Sequence, residues 1–270
     1  MAHRITGPAL EALYRRLNRR QLVHPDPLEV LYAYPRVEDR ELAALVAACL
    51  AYGRVTGILR SVRGALGRMP SPRAWLAEAT PAGLRAAFAG FRHRFATGVQ
   101  LAALLLGSKR LIERHGSLNE AFAAHLEPGH ATVVPALAGF ADELRRAADG
   151  LDAHLLPCPR RGSACKRLAL FLRWMVRRDA VDPGGWTGVS AAQLIVPLDT
   201  HMHRICRALG LVARRSADLR AAEEATASFR RFAPHDPVRY DFALTRLGIR
   251  PEADLGAFLK PYVAPKGVPR

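Results

Sequence analysis

A lysine and an aspartate stand where their side chains could take part in one reaction. Lys166 falls in the first turn of a helix that we expect to start at Ser163, a good N-cap, and to run to about Arg178. The positive end of that helix and the neighbouring arginines disfavour a protonated ammonium, so the neutral amine is a candidate nucleophile. These arginines are Arg160, Arg161 and Arg167.

The aspartate is Asp199, the natural N-cap of the next helix. It follows Pro197 and precedes the helical segment THMHRICRALGL. A capping carboxylate accepts backbone N–H bonds and stays ionised, which suits the stabilisation of a cationic transition state. One helix and a return loop separate the two residues and can bring both helix starts side by side. The alternative is that Lys166 is a solvated basic residue and Asp199 only a cap.

Helices must position both residues, because helical periodicity dominates the chain. Leu and Ala recur at spacings of three and four, and alternating strand patterns are nearly absent. The helical segments are 8–20, 39–52, 55–68, 81–90, 98–115, 117–126 and 135–149. The predicted fold class is therefore all-α, with roughly ten or more helices. A mild change in composition near residue 150 fits a single unit with two lobes.

The charge balance indicates the kind of partner. The 270 residues carry 40 Lys+Arg against 24 Asp+Glu, a formal net charge of +16. A polyanion, with nucleic acid first, is the expected partner, although a general arginine-rich coding habit would also raise the charge. No apolar run is long enough to span a membrane and no secretion signal precedes the chain, so we expect a cytoplasmic protein without membrane contact.

The cysteines give little sign of a bound metal. No CxxC pair occurs, so zinc ribbons and four-cysteine iron–sulfur loops are disfavoured, and buried or spare thiols are expected. The four are Cys49, Cys158, Cys165 and Cys206. We predict neither a metal nor a cofactor.

Two segments, GSACKRLALFLRWMV and VPLDTHMHRICRALGL, resemble the helix–hairpin–helix DNA glycosylase superfamily, in particular its archaeal 8-oxoguanine glycosylases. The resemblance implies one glycosylase-like unit over 1–270, with the active site in a cleft between two lobes. These lobes are 35–150 and 1–34 plus 151–270. The chain also resembles an uncharacterised bacterial and archaeal family, through EDRELAALVAACLAYGRV, FRHRFATGVQLAALLLGSKRLIERHGSL, SACKRLALFLRWMVRRD and YDFALTRLGI.

The glycosylase resemblance implies an activity for the pair. Lys166 would attack C1′ of a flipped nucleoside and form a Schiff base, while Asp199 would stabilise the oxocarbenium charge. The expected protein is a monomeric, nucleoid-associated DNA glycosylase with AP lyase activity on double-stranded DNA that contains a damaged base, with 8-oxoguanine first. The alternatives are a non-catalytic nucleic-acid-binding protein with the same fold, and an enzyme that acts on RNA.

Further residues are candidate contacts to the substrate or the DNA. They are His201, Tyr52, Arg54, Arg161, Gly162, Ser163, Arg92 and Trp186. Gly162 stands for one glycine of the superfamily hairpin, but LLPCPRRGS departs from the usual pattern, so phosphate binding there is in doubt. Trp186, in a glycine-rich loop, could line a base pocket. FRHRF suits stacking on nucleic acid, or else a helix edge with Phe91 and Phe95 buried. Asp241 is a candidate acceptor for a base N–H.

Overall fold

The computed structural model describes residues 5–149, 151, 154–249 and 254–262, and these are mostly helical, which confirms the all-α class. The α-helices are α1 (Gly7–Leu17), α2 (Val37–Cys49), α3 (Val55–Leu66), α4 (Pro72–Glu78), α5 (Pro81–Ala87), α6 (Gly98–His115), α7 (Leu118–Ala123), α8 (Val134–Ala147), α9 (Lys166–Val176), α10 (Thr200–Ala208), α11 (Leu219–Arg230), α12 (Asp241–Ile249) and α13 (Leu255–Leu259). Short 3-10 helices cover Arg20–Leu22, Pro27–Ala33, Pro159–Arg161 and Ala191–Gln193. Two strands, β1 (Arg92–His93) and β2 (Ala96–Thr97), form an antiparallel hairpin.

Local sequence signals set many of the helix starts. Thr97 caps α6 and forms a reciprocal capping box with Gln100, so that two of the unpaired N–H groups at the helix start are satisfied. Ser117 caps α7 in the same way, through the backbone N–H of Glu120. Proline stands in the first turn of several helices, where its missing N–H costs nothing.

The core is built around α2, which is buried along nearly its whole length. Ala43, Ala44, Ala47 and Ala48 are fully buried, and such small side chains allow neighbouring helices to approach closely. Helix α9 packs directly against α2. This packing brings the chain segment that follows α2, at residues 51–58, next to the start of α9.

Helices that are far apart in the sequence also pack together. Helix α1 packs against α12, where the Tyr14 and Tyr240 rings contact edge to face. The Arg246 guanidinium of α12 pairs with the Asp26 carboxylate in the loop after α1. As a result, the segment around Asp26 and helix α12 lie side by side although they are more than 200 residues apart in the chain.

The structure differs from the sequence expectations in two local features. Ser163 is not the N-cap of α9: its hydroxyl accepts a bond from the Cys165 N–H, and Cys165, in the left-handed conformation, precedes the helix. FRHRF is not a helix edge, because Arg94 also has a positive φ of 52° and turns the chain into the β1–β2 hairpin. Within the described ranges, no helix is long and apolar enough to cross a membrane.

Candidate active site

A cavity of about 500 Å³ opens beside the start of α9. Five parts of the chain form its walls: the segment before residue 28, the segment after α2, one face of α9, the start of α10 with the residues just before it, and α12. The lining residues are Pro25, Asp26, Pro27, Ala51, Tyr52, Gly53, Val55, Ile58, Lys166, Arg167, Leu170, Arg173, Trp174, Pro197, Asp199, His201, Met202, Asp241, Phe242, Thr245 and Arg246. A pocket of this size holds a small molecule or one flipped nucleoside.

Lys166 and Asp199 lie together at this cavity. The Nζ atom of Lys166 is 3.6 Å from Oδ2 of Asp199, which is an ion-pair distance but longer than a direct hydrogen bond. The side chains are 31% and 44% exposed, so both can be reached from solvent. Partial exposure and a loose contact leave the lysine amine room to move towards a bound reactant.

The two carboxylate oxygens of Asp199 have different partners. Its Oδ1 accepts the N–H groups of His201 at 2.9 Å and of Met202 at 2.8 Å, which makes it the N-cap of α10 as expected from the sequence. Its Oδ2 is the oxygen near Lys166. The cap therefore fixes the orientation of the carboxylate and aims its second oxygen at the amine.

Two further arginines in the cavity wall form ion pairs. The Arg173 guanidinium bonds to Asp241 and also to Asp182 behind the wall, and Arg246 pairs with Asp26. Burial raises the pKa of Asp241, while the attraction of Arg173 opposes that rise. Asp241 thus presents a buried carboxyl that interacts with the charges of Lys166 and Asp199.

The deeper wall is largely apolar. Leu170 and Trp174 follow Lys166 on the same face of α9, at intervals of four residues, and Met202 and Phe242 face them from α10 and α12. The Trp174 side chain is buried, and its indole N–H has no hydrogen-bond partner among the residues that the structure describes. Such a wall suits the aromatic ring of a base, which needs apolar contact on its faces.

Three of the candidate contact residues line this cavity: Asp241, whose partners are given above, Tyr52 and His201. The Tyr52 and His93 rings pack edge to face, and the Arg167 guanidinium lies 5.0 Å from the centre of the Tyr52 ring. His201 lies against α12: a Cβ atom added at Gly248 would fall 1.8 Å from its Nε2. The absence of a side chain at Gly248 is therefore what makes room for the imidazole.

Other candidates lie elsewhere. Arg54 and Arg92 are exposed and line a separate surface depression of about 390 Å³. Trp186 is in the core rather than in the cavity: its indole N–H donates to Glu41 at 3.0 Å, and its ring contacts Phe122 and Phe171. The expectation that Trp186 lines a base pocket is therefore wrong, because a buried carboxylate holds the indole in the interior.

The loop before α9 is exposed at Arg161, Gly162 and Ser163. Gly162 adopts a positive φ of 74° and its carbonyl accepts the N–H of Leu219, so the loop is tied to the start of α11. Two of the three arginines expected around Lys166 have partners of their own. Arg160 pairs with Asp142 at 2.8 Å, while Arg167 donates to the carbonyl of Cys49 at 2.6 Å and to two other carbonyls.

Sequence reasoning missed several wall residues. Asp26, Arg173, Thr245 and Arg246 have no local motif that would identify them, and they meet only through long-range packing. The sequence does indicate Leu170 and Trp174 as wall residues, because they follow Lys166 at intervals of four and so share its face of the helix. Within the described residues, no three His, Cys, Asp or Glu side chains are grouped closely enough to hold a metal ion. All four cysteines are buried and unpaired.

Comparison with known proteins gives a family but no activity. Residues 26–250 match the model of a family described as "Protein of unknown function (DUF2400)". No curated protein matches the chain, and neither does any solved structure. The match contains every residue of the cavity wall except Pro25.

Proposed function

The chain belongs to the DUF2400 family, and we propose that it is a DNA glycosylase with AP lyase activity that uses Lys166 as its nucleophile. The observation that carries the proposal is the 3.6 Å contact between Lys166 Nζ and Asp199 Oδ2 at a cavity large enough for one nucleoside. 8-oxoguanine is the first substrate to test, because the two motif segments resemble 8-oxoguanine glycosylases. The active site would lie in a cleft between two lobes.

The proposed reaction begins at C1′ of an extruded nucleotide. The amine of Lys166 forms a bond to C1′ as the glycosidic C1′–N bond breaks, and the base leaves with that electron pair. Asp199 stabilises the positive charge on the sugar and takes the proton that the amine loses, which then passes to the base. The C1′–O4′ bond opens next and O4′ gains a proton, which leaves an iminium between Nζ and C1′.

Strand cleavage follows from the same intermediate. Loss of a proton from C2′ lets the iminium accept the electron pair, and the C3′–O bond breaks with release of the 3′ phosphate. Water then hydrolyses the imine and frees Lys166. The apolar wall of Leu170, Trp174 and Met202 supports this role, because it offers contact to a base while the reacting sugar stays at the more exposed end.

The decisive experiment is borohydride trapping. Duplexes with 8-oxoguanine, uracil or an abasic site are incubated with the protein and reduced, and covalent adducts are separated on a denaturing gel. We expect an adduct with wild-type protein and none with Lys166→Ala. Lys166→Arg, which keeps the charge but lacks a usable nucleophile, is also expected to give no adduct.

Matched controls separate chemistry from binding and folding. Lys260 is exposed and distant in sequence, so Lys260→Ala should trap as well as wild type. Asp199→Asn keeps an N-cap and should reduce base excision strongly. If wild-type protein binds DNA tightly in low salt yet forms no adduct with any substrate, the protein is a non-catalytic nucleic-acid-binding member of the fold. Adducts with RNA substrates alone would instead identify an RNA-acting enzyme.

A further inference from the structure

The surface depression of about 390 Å³ beside the cavity is lined mainly by arginines. Arg54 and Arg60 belong to the start and the middle of α3, while Arg92 and Arg94 belong to the β1–β2 hairpin. All four residues are exposed, and none of the described residues that line the depression is acidic. Four like charges therefore share one concave surface.

These four arginines lack the carboxylate partners that other arginines of the protein have. Over the described part of the chain, none of the four forms a salt bridge. In the neighbouring cavity wall, by contrast, Arg173 pairs with Asp241 and Arg246 pairs with Asp26. Guanidinium groups that lie together without a counter-charge make a surface attractive to an anion.

Hydrogen bonds hold the two halves of the depression together. The buried His93 ring bonds through Nδ1 to the Ser61 hydroxyl of α3 at 2.9 Å and through Nε2 to the Tyr52 carbonyl at 3.1 Å. Burial lowers the pKa of His93 and the charge of Arg94 adds to this effect, although hydrogen bonds to backbone carbonyls oppose it, so the imidazole is a neutral link. Because the hairpin is already fixed to α3, little conformational entropy is lost when a ligand binds across both.

The number of charges indicates a polyanion. A single phosphate group carries about two negative charges at most, whereas DNA carries one per about 1.7 Å of helix axis and can offer a separate phosphate to each guanidinium. The planar guanidinium also matches phosphate oxygens with two parallel N–H donors. The start of α3 adds positive potential at Arg54, because no side chain caps it and its first turn holds no acidic residue.

The loop before α9 is less suited to hold phosphates, although it stands where the glycosylase superfamily has its hairpin. The N–H groups of Arg161, Gly162 and Cys165 are already bonded to oxygens of the same loop. The Arg160 guanidinium pairs with Asp142 at 2.8 Å. This loop therefore has fewer donors left for a phosphate than the depression has.

We propose that the four arginines of the depression bind the phosphodiester backbone of double-stranded DNA, and that this surface takes over the phosphate contacts from the loop before α9. The choice of DNA as the ligand rests on the proposed function. The Arg94 side chain lies over Gly53, a residue of the cavity wall, where an added Cβ atom would be 2.9 Å from Arg94 Cδ. A strand bound at the arginines therefore passes beside the wall of the cavity that contains Lys166.

Fluorescence anisotropy of a labelled, undamaged duplex at a series of KCl concentrations tests this inference. Each neutralised phosphate adds about 0.9 to the slope of log K against the logarithm of the salt concentration. We expect Arg60→Ala and Arg92→Ala each to reduce that slope by about 1, and Arg60→Lys, which keeps the charge, to retain it. Arg231→Ala removes the same charge from an exposed residue at the end of α11 and should leave the slope unchanged.

The outcomes separate the binding surface from the chemistry, because the undamaged duplex requires no reaction. No binding by wild-type protein, or an unchanged slope in both Arg60→Ala and Arg92→Ala, would overturn the inference. An equal loss in Arg231→Ala would overturn it too, since charge would then act without a defined site, and a loss in Arg161→Ala alone would return the contact to the loop. Slope losses at the four arginines without any borohydride adduct would support this surface and overturn the glycosylase proposal, whereas adducts with unchanged slopes would do the reverse.

Discussion

The two ends of helix α9 hold basic side chains in opposite ways. At its start, Lys166 has one carboxylate at 3.6 Å and is partly exposed. Around its end, Arg173 and Arg177 are almost fully buried and share Asp182, which is completely buried. Arg177 also bonds to Asp236 and to a third carboxylate, Asp179, at 2.9 Å each.

The difference separates a structural use of charge from a chemical one. Buried ions need nearly every donor matched, since the loss of hydration is repaid only by close and well-oriented partners. Such a saturated cluster has no capacity left for a reactant. Among the described residues, Lys166 forms one ion pair, the longer contact with Asp199, and it lies on a cavity, so its amine remains available. Within one helix, the incompletely paired basic group marks the candidate site.

The largest expected effect is at the buried end. Asp182→Asn leaves Arg173 and Arg177 without their shared charge, and breaking a buried ion pair in this way costs about 3–5 kcal/mol. Urea unfolding should show this loss. Lys166→Ala, measured alongside, should change the free energy of unfolding by about 0–1 kcal/mol, as for an exposed pair. Equal losses in the two variants would remove the contrast between the ends of α9.

The loss of folding stability at low pH should come partly from Asp179, which pairs with Arg177 in the same buried cluster. Burial would raise the pKa of Asp179, but Arg177, two backbone N–H groups and the Tyr14 hydroxyl outweigh it and lower the pKa to about 2 from a usual value of 3.8. The stabilisation is complete above pH 3.8 and is lost as the pH falls through about 2, a total of about 2 kcal/mol.

Asp179→Asn is the matching variant. It should be less stable than wild type at pH 6, and the difference in free energy of unfolding should narrow as the pH falls from 3.8 towards 2, because the wild-type carboxyl is protonated first in the unfolded state and then also in the folded state. Thermal unfolding at a series of pH values measures the gap. A gap that stays constant down to pH 2 would show that Asp179 contributes through packing rather than through its charge.

The smallest expected change in stability is at Asp199, where two variants distinguish its role as the N-cap of α10 from its role as the charge beside Lys166. Asp199→Ala removes the N-cap of α10 and should cost about 1 kcal/mol, whereas Asp199→Asn keeps a good cap and should cost less than about 0.5 kcal/mol. Both variants lack the charge beside Lys166 and should lose excision to a similar extent. If Asp199→Asn retained full excision, the carboxylate would serve only as the N-cap of α10.

The sequence alone predicted the features that depend on neighbours in the chain. Helical spacing predicted the all-α class, and the residue type at Asp199 predicted its cap. The start of α9 was misjudged because Cys165 takes a left-handed conformation that no residue type there suggests. Trp186 was misjudged because its partner, Glu41, is distant in sequence. The pairing of Lys166 with Asp199 could be expected only through the family resemblance together with helix positions.

The contact between Asp26 and Arg246 also has a consequence for synthesis. These residues close one side of the cavity from positions 220 apart in sequence. A growing chain that has emerged as far as α10 already contains Lys166 and Asp199, but it lacks the α12 wall against which a base would rest. At about 5–20 residues per second, roughly seconds pass before α12 follows. The cavity wall is therefore complete only after α12 has been synthesised.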